Sequence, residues 1–143
     1  MKIGFPTLIA LALLPAFAAI PQAPKSHPHR VVFEMNSPGS AAWDQALANI
    51  ENMQKAFAPE PVEIEVVCFG KGLDLLLRTD TAYAEHLKTL VASGVRVVAC
   101  QNSMRRHNVT TSDLLPFAGQ VDSGVAELVR RQEAGWSYLK SGE

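Results

Sequence analysis

The chain has 143 residues, enough for one domain whose core needs no metal or disulfide staple. Apolar residues make up 48% and charged residues 19%, a globular composition that excludes an intrinsically disordered chain. The formal net charge is -1 with no basic block, and the aromatics Phe117, Trp136 and Tyr138 lack the basic interleaving of a single-strand binder, which argues against a nucleic-acid partner.

Met1-Lys2 supplies a short positive start, and residues 3–19 carry no charge. Ala16-Phe17-Ala18 then offers the small-x-small pattern that a signal peptidase reads. Together these predict a signal peptide over residues 1–18 and export, to the periplasm, with nothing left to hold the mature chain in a membrane. An uncleaved anchor is the competing reading, since roughly 17 apolar residues is near the lower limit for a span. Pro6 and Pro15 weaken a spanning helix. Residues 19–29 hold three prolines without periodicity and read as a linker, so the domain is expected over residues 30–143.

Val31-Val32-Phe33-Glu34-Met35 is a nearly continuous apolar run, as in a strand buried on both faces. Asn36 to Gly39 form a turn, with Ser40 as the expected N-cap. Trp43, Ala46, Leu47, Ile50, Met53 and Phe57 then recur at helical spacing until Pro59 and Pro61 stop the helix. Residues 62–69 alternate at first through Val62, Ile64 and Val66, then turn wholly apolar, giving a second strand. Gly70-Lys71-Gly72 ends it ahead of a short helical turn over residues 73–77. A helix over residues 81–93 carries Tyr83, Leu87, Leu90 and Val91 on one face and stops at Gly94. Residues 95–100 form a third strand, followed by a short helix closing on Asn108. Thr110 to Asp113 fit a capping box. Residues 117–121 suggest a fourth strand, and Ser123 caps a helix with Val125, Leu128, Val129 and Gln132 on one side. Residues 136–140 alternate as a last, edge strand. Strands alternating with helices through short links predict an α/β fold, a mostly parallel sheet of four to five strands with helices on both faces.

Ligands on such sheets sit beyond the carboxyl ends of the strands, which points to the loops holding Ser37, Gly70 and Gly72, and to the segment starting at Cys100. Cys100 closes the third strand where a helix begins, and a helix start favours the thiolate. Asn102, Arg105 and Arg106 in that helix are candidate supports, the arginines by positive potential. The competing reading is a small buried hydrophobe closing a strand. Cys68, near the end of the preceding strand, is a second candidate thiol, a disulfide partner for Cys100, or ordinary core. Gly70-x-Gly72 is a weak phosphate signal, since a dinucleotide fingerprint would need glycine at Leu75, and no cofactor is implied. His27 and His29 lack a third ligand, so no metal site is expected. His86 and His107 read as surface residues. Ser103, Ser123 and Ser137 show no nucleophile elbow, and Glu34, Asp74 and Asp122 are too scattered for paired-carboxylate chemistry.

Residues 95–109, Val-Arg-Val-Val-Ala-Cys-Gln-Asn-Ser-Met-Arg-Arg-His-Asn-Val, resemble the third-strand segment of the DsrE/DsrF-like family, which includes the YchN-like proteins. The likeness extends to Gly70-Lys71-Gly72-Leu73-Asp74-Leu75-Leu76 and to Ser123-Gly124-Val125-Ala126-Glu127-Leu128-Val129, in the same order. The resemblance implies a three-layer α/β/α fold assembled into homo-oligomers, trimers or hexamers. It also implies a sulfur relay in which a cysteine at the end of the third strand, here Cys100, carries a persulfide between thiol-bearing donor and acceptor proteins. Whether this amounts to catalysis as a sulfur transferase stays open at this level. The alternative is a non-enzymatic oligomeric module of the same fold that binds a small ligand or a protein. A redox protein cycling a Cys68–Cys100 disulfide fits less well, because no C-x-x-C spacing is present.

Overall fold

In the computed structural model, which describes Met1 and residues 28–79 and 81–141, strands and helices alternate along the chain. They are β1 (His29–Met35), α1 (Ser40–Phe57), β2 (Val62–Cys68), α2 (Thr81–Ala92) and β3 (Arg96–Cys100). Then come α3 (Gln101–His107), β4 (Gly119–Val121), α4 (Gly124–Glu133) and β5 (Ser137–Lys140). Two 3-10 turns, Gly70–Leu76 and Thr111–Asp113, sit in the connections after β2 and α3. The five strands form one sheet in the order β4-β3-β2-β1-β5, and every pairing is parallel. The fold is the expected α/β architecture, with the upper of the two expected strand counts. Apart from Met1, Pro28 and His29, the segments read as signal peptide and linker lie outside the described residues. No helix among the described residues is long and apolar enough to cross a membrane.

This order places the helices unequally. The chain steps from β1 through β2 and β3 to β4 in one direction, then α4 carries it back across the sheet to pair β5 with β1. On one face, Phe33, Met35, Ile64, Val66, Cys68, Val97 and Ala99 meet Ala46, Leu47 and Ile50 of α1, Leu87 and Leu90 of α2, and Met104 of α3. On the other, Val32, Val67 and Val98 meet a single buried apolar side chain of α4, Leu128, flanked by Phe69, Val121 and Trp136. One face is a deep core. The other is thin.

Several local expectations change in detail. The first helix begins at Ser40 itself, with Gly39 (φ 90°) as its cap and no side-chain cap bond. The first strand begins one residue earlier than the expected domain boundary, because His29 pairs with Val62 and its ring stacks on Phe57 at 3.9 Å. The capping box at Thr110 and Asp113 is present. Asn108 takes the left-handed conformation (φ 55°), and Ser123 accepts a cap bond from the Ala126 N–H at 3.4 Å.

The helix α4 is the largest correction. Its inward side is Gly124, Glu127 and Leu128, whereas Val125 (59% exposed) and Val129 (48%) face outward. The cause is Glu65, a fully buried acid of β2 that draws an arginine, not a valine, toward the sheet.

Gly72 shows how tightly the loop after β2 is pressed on β1. A Cβ there would lie 2.2 Å from the Met35 carbonyl oxygen and 2.9 Å from the Asn36 Cα, so only glycine fits. Gly72 is therefore a packing residue. Because the obstacle is backbone, Gly72→Ala is expected to cost about 3 kcal/mol or more. Urea unfolding of the two proteins measures the loss, and a difference below about 1 kcal/mol would show that the loop can move aside.

Candidate functional site

Cys100 occupies the last position of β3 and is the N-cap of α3, with extended backbone (φ -76°, ψ 116°). It pairs with Val121 at the end of β4, and its side chain is 4% exposed. A parallel sheet ends all its strands on one edge, so the N-termini of the helices that follow gather there. Two of them meet at this sulfur. Asn102 and Ser103 supply backbone N–H groups from the start of α3, and Gly124 supplies one from the start of α4. The Ser103 hydroxyl acts in the same direction on the thiol. Burial pushes the thiol's pKa up, but the N–H groups of Gly124, Ser103 and Asn102 and the Ser103 hydroxyl together outweigh it, and the net shift is downward.

Ser103 also ties the site to the neighbouring loop, since its Oγ accepts the Gly70 N–H at 2.8 Å. Gly124 is confined on its other side by Phe69. A Cβ there would sit 3.0 Å from the Phe69 ring, so the absence of a side chain lets α4 approach the cysteine this closely.

Behind the site, α4 is fastened to the sheet by charge. Glu65 Oε1 accepts from Arg131 Nε at 3.0 Å and Oε2 from Arg131 Nη2 at 2.7 Å, a two-pronged pair. Arg96 Nη1 of β3 adds a contact to Oε2 at 3.2 Å. Burial raises the Glu65 pKa, and Arg131 and Arg96 pull it back toward the charged form. Arg131 reaches Glu127 at 2.8 Å and lies over the Trp136 ring at 4.7 Å. Glu127 in turn meets Arg130 at 3.3 Å, and Arg130 grips both oxygens of Asp122 at 2.7 and 2.9 Å. The bonds from Arg130 hold the Asp122 carboxyl down at about 2. Asp122 stands two residues before Gly124. The ladder thus runs along α4 to the edge of the cysteine site.

The other sequence candidates fall into place around this geometry. Cys68 is aligned with Ala99, one position before Cys100, so the two thiols point to opposite faces of the sheet. Both are free, and no S–S bond could join them without moving backbone. Burial in the deep core pushes the Cys68 thiol far above its usual range. Asn102 contributes through its backbone, while its side-chain oxygen accepts from Arg105. Arg105 and Arg106 lie exposed in the last turn of α3, so amide N–H groups, not arginine charge, favour the thiolate. Gly70 belongs to the site through its N–H. Ser37, at the end of β1, lies two strands away, and its carbonyl holds the Trp43 indole at 3.1 Å.

Of the remaining acids and histidines, Glu34 accepts hydrogen bonds from Asn36 and Tyr138, and the bond to Glu34 pushes the tyrosine up to about 12. His86 pairs with Glu51 at 2.8 Å, His29 pairs with Glu60 at 3.1 Å, and His107 is exposed. His27 lies outside the described residues, among which no cluster of three metal-ligating side chains occurs. Sequence reasoning missed Ser103, Gly124 and Glu65. The Gly at the first position of a capped helix was an available signal; Glu65 sits in the polar phase of an alternating strand and gave none.

The DsrE/DsrF-like family model matches residues 30–141, nearly the whole of the described structure. The chain belongs to that family. Solved structures carry the same fold. A protein of unknown function, MTH1491 from Methanobacterium thermoautotrophicum, superposes with a TM-score of 0.74 at 33% identity, over 78% of this chain and 98% of that one. The ychN protein from E. coli gives 0.63 at 15% identity, over 78% and 98%. BT1422 from Bacteroides thetaiotaomicron, a conserved protein of unknown function, gives 0.63 at 14%, over 77% and 92%. No curated protein matches this chain significantly.

For a DsrE/DsrF-like chain with this geometry, iodoacetamide should separate the two thiols. The labelling of Cys100 is expected to rise with pH through a midpoint below the free-thiol value of about 8.5, because its folded pKa is lowered. Cys68 should stay unmodified until the protein unfolds. Peptide mass spectrometry across a pH series measures both, and a Cys100 that labels no faster than free cysteine at neutral pH would contradict the reading.

Proposed function

We propose that this protein is a sulfur carrier in which Cys100 holds a sulfane sulfur as a persulfide and passes it between thiol partners in an exported compartment. The observation that carries this reading is the place of Cys100, last in β3 and N-cap of α3 at the edge of the sheet where ligands of α/β folds bind, with backbone N–H groups at the starts of α3 and α4 lowering its thiol pKa. Membership of the DsrE/DsrF-like family supports a relay role at the level of the family.

The chemistry balances without an outside oxidant. The Cys100 thiolate attacks the outer sulfur of a donor persulfide or polysulfide, a new S–S bond forms, the donor's S–S bond breaks, and the donor leaves as a thiolate. An acceptor thiolate then attacks the carried sulfur, and the Cys100 thiolate is released. The N–H groups of Asn102, Ser103 and Gly124 stabilise negative charge on the cysteine sulfur at the beginning and end of this cycle.

Export is part of the same proposal and rests on the charge, apolar run and Ala-Phe-Ala site of the N-terminal segment. So is self-association into a trimer or hexamer. Trp43, Phe117 and Trp136, which the sequence offers as surplus apolar surface, are partly buried against the two cores. The outward apolar side chains are instead Val125, Val129, Tyr138 and Leu139, on α4 and the edge strand β5.

Incubation of the reduced protein with polysulfide should add the mass of one sulfur, located to Cys100 by peptide mapping. Cys100→Ser should abolish the gain while the circular dichroism spectrum stays unchanged. A protein that gains no sulfur, or gains it equally in the serine variant, would overturn the carrier reading. Light scattering at micromolar concentration should give a mass several times that of the chain. Val125→Glu together with Val129→Glu should lower it, and a strictly monomeric parent would remove the assembly claim.

A further inference from the structure

Glu65 has no exposed surface, yet it lies in β2, in the middle of the sheet, and faces α4. Its partner Arg131 comes from the third turn of α4, and Leu128 is the one fully apolar side chain that α4 buries beside it. The thin apolar contact leaves the helix's position on the sheet to the ionic ladder. The first turn of the same helix begins three residues after Val121, the β4 partner of Cys100, and the Gly124 N–H there lowers the thiol's pKa. The opposite end of the ladder, Asp122 gripped by Arg130, sits in the two-residue link between β4 and α4.

We infer that Glu65 is a positioning residue for Cys100, holding Arg131 and through it the whole of α4, so that the first turn of that helix stays against the sulfur. The inference rests on Cys100 as the reactive thiol and adds a determinant of its reactivity on another strand. Glu65 touches no reacting atom. It acts along a rigid helix of ten residues, by fixing where that helix lies. With the two-pronged pair weakened, α4 is free to shift on the few apolar contacts that remain, and the Gly124 N–H moves away from its place beside Cys100.

The test is the pH profile of Cys100 alkylation in the intact chain, read by peptide mass spectrometry so that Cys68 is followed separately. In Glu65→Gln the midpoint is expected to rise by about half a unit or more, roughly a threefold loss of thiolate on the acid side of the midpoint. Glu51→Gln removes the His86 ion pair on α1 instead and should leave the midpoint at the parent value. If Glu65→Gln does not fold, Arg131→Lys decides, since lysine keeps the cation but not the fork, and the midpoint should rise in the same direction. A low parent midpoint that is unmoved in folded Glu65→Gln, or in Arg131→Lys, would overturn the positioning role while leaving the carrier reading intact. A parent midpoint at the free-thiol value would overturn both.

Discussion

Glu65 places an acid in a strand flanked on both sides by other strands, where no water reaches it, and the guanidinium of Arg131, joined by that of Arg96, answers it. The magnitudes show why this pair governs the second face of the sheet. Burying Leu128 is worth about 2 kcal/mol, and no other fully buried apolar side chain of α4 adds to it. Leaving a buried carboxylate without its partner costs about 3 to 5 kcal/mol. Two well-packed apolar side chains would hold the helix as firmly, because a buried ion pair gains little over them. What the pair supplies instead is direction. A bidentate fork admits one orientation of the helix, whereas Leu128 alone against three valines would let it slide.

That orientation explains why the sequence could be read for the fold more easily than for the site. The parallel α/β sheet follows from alternating elements with short links, and Cys100 is visible as the residue where a buried strand meets a helix. Capping signals at Thr110 and Ser123 and the left-handed Asn108 are local chemistry, and they are present as read. The donors to the sulfur are partly non-local. Gly124 reaches Cys100 because β4 pairs beside β3 and α4 starts from its end, a juxtaposition that no spacing along the chain encodes. The face of α4 was misread for a related reason. Val125, Val129 and Leu128 look like one apolar stripe until Glu65 is known to be buried, and Val62-x-Ile64-x-Val66 hides Glu65 in the polar phase of an alternation. Period-based reading assumes that an acid faces water. Here it faces arginine.

The two cysteines illustrate the same limit from the other side. Each lies at the end of a strand, and those strands are neighbours, so proximity in the sheet is correctly expected. Their chemical fates are set by a register offset of one. Cys68 aligns with Ala99, and with side chains alternating across the sheet, Cys100 must therefore point the other way. One thiol enters the deep core under three helices, where burial holds it protonated. The other enters the thin face, where two helix N-termini converge. A register shifted by one residue would place both sulfurs on the same face and make a disulfide the default in an oxidising compartment.

In the proposed carrier role, a group that both takes up and gives away sulfur needs a thiol of intermediate acidity. Attack on a donor requires thiolate, which a lowered pKa supplies, but intrinsic nucleophilicity falls as the pKa falls. Release to an acceptor makes the same sulfur a leaving group, and there a lower pKa helps. Burial and hydrogen bonding pull Cys100 in opposite directions along this scale, with the donors prevailing. Backbone N–H groups are suited to that balance because they cannot ionise, and their strength does not change with pH in the way a histidine's would. Nor do they carry a net charge that would trap the departing donor thiolate beside the site, as an arginine in contact with the sulfur would. The placement of Arg105 and Arg106 at the far end of α3 is consistent with that demand: the positive residues lie a turn and more from the sulfur, and the uncharged donors touch it.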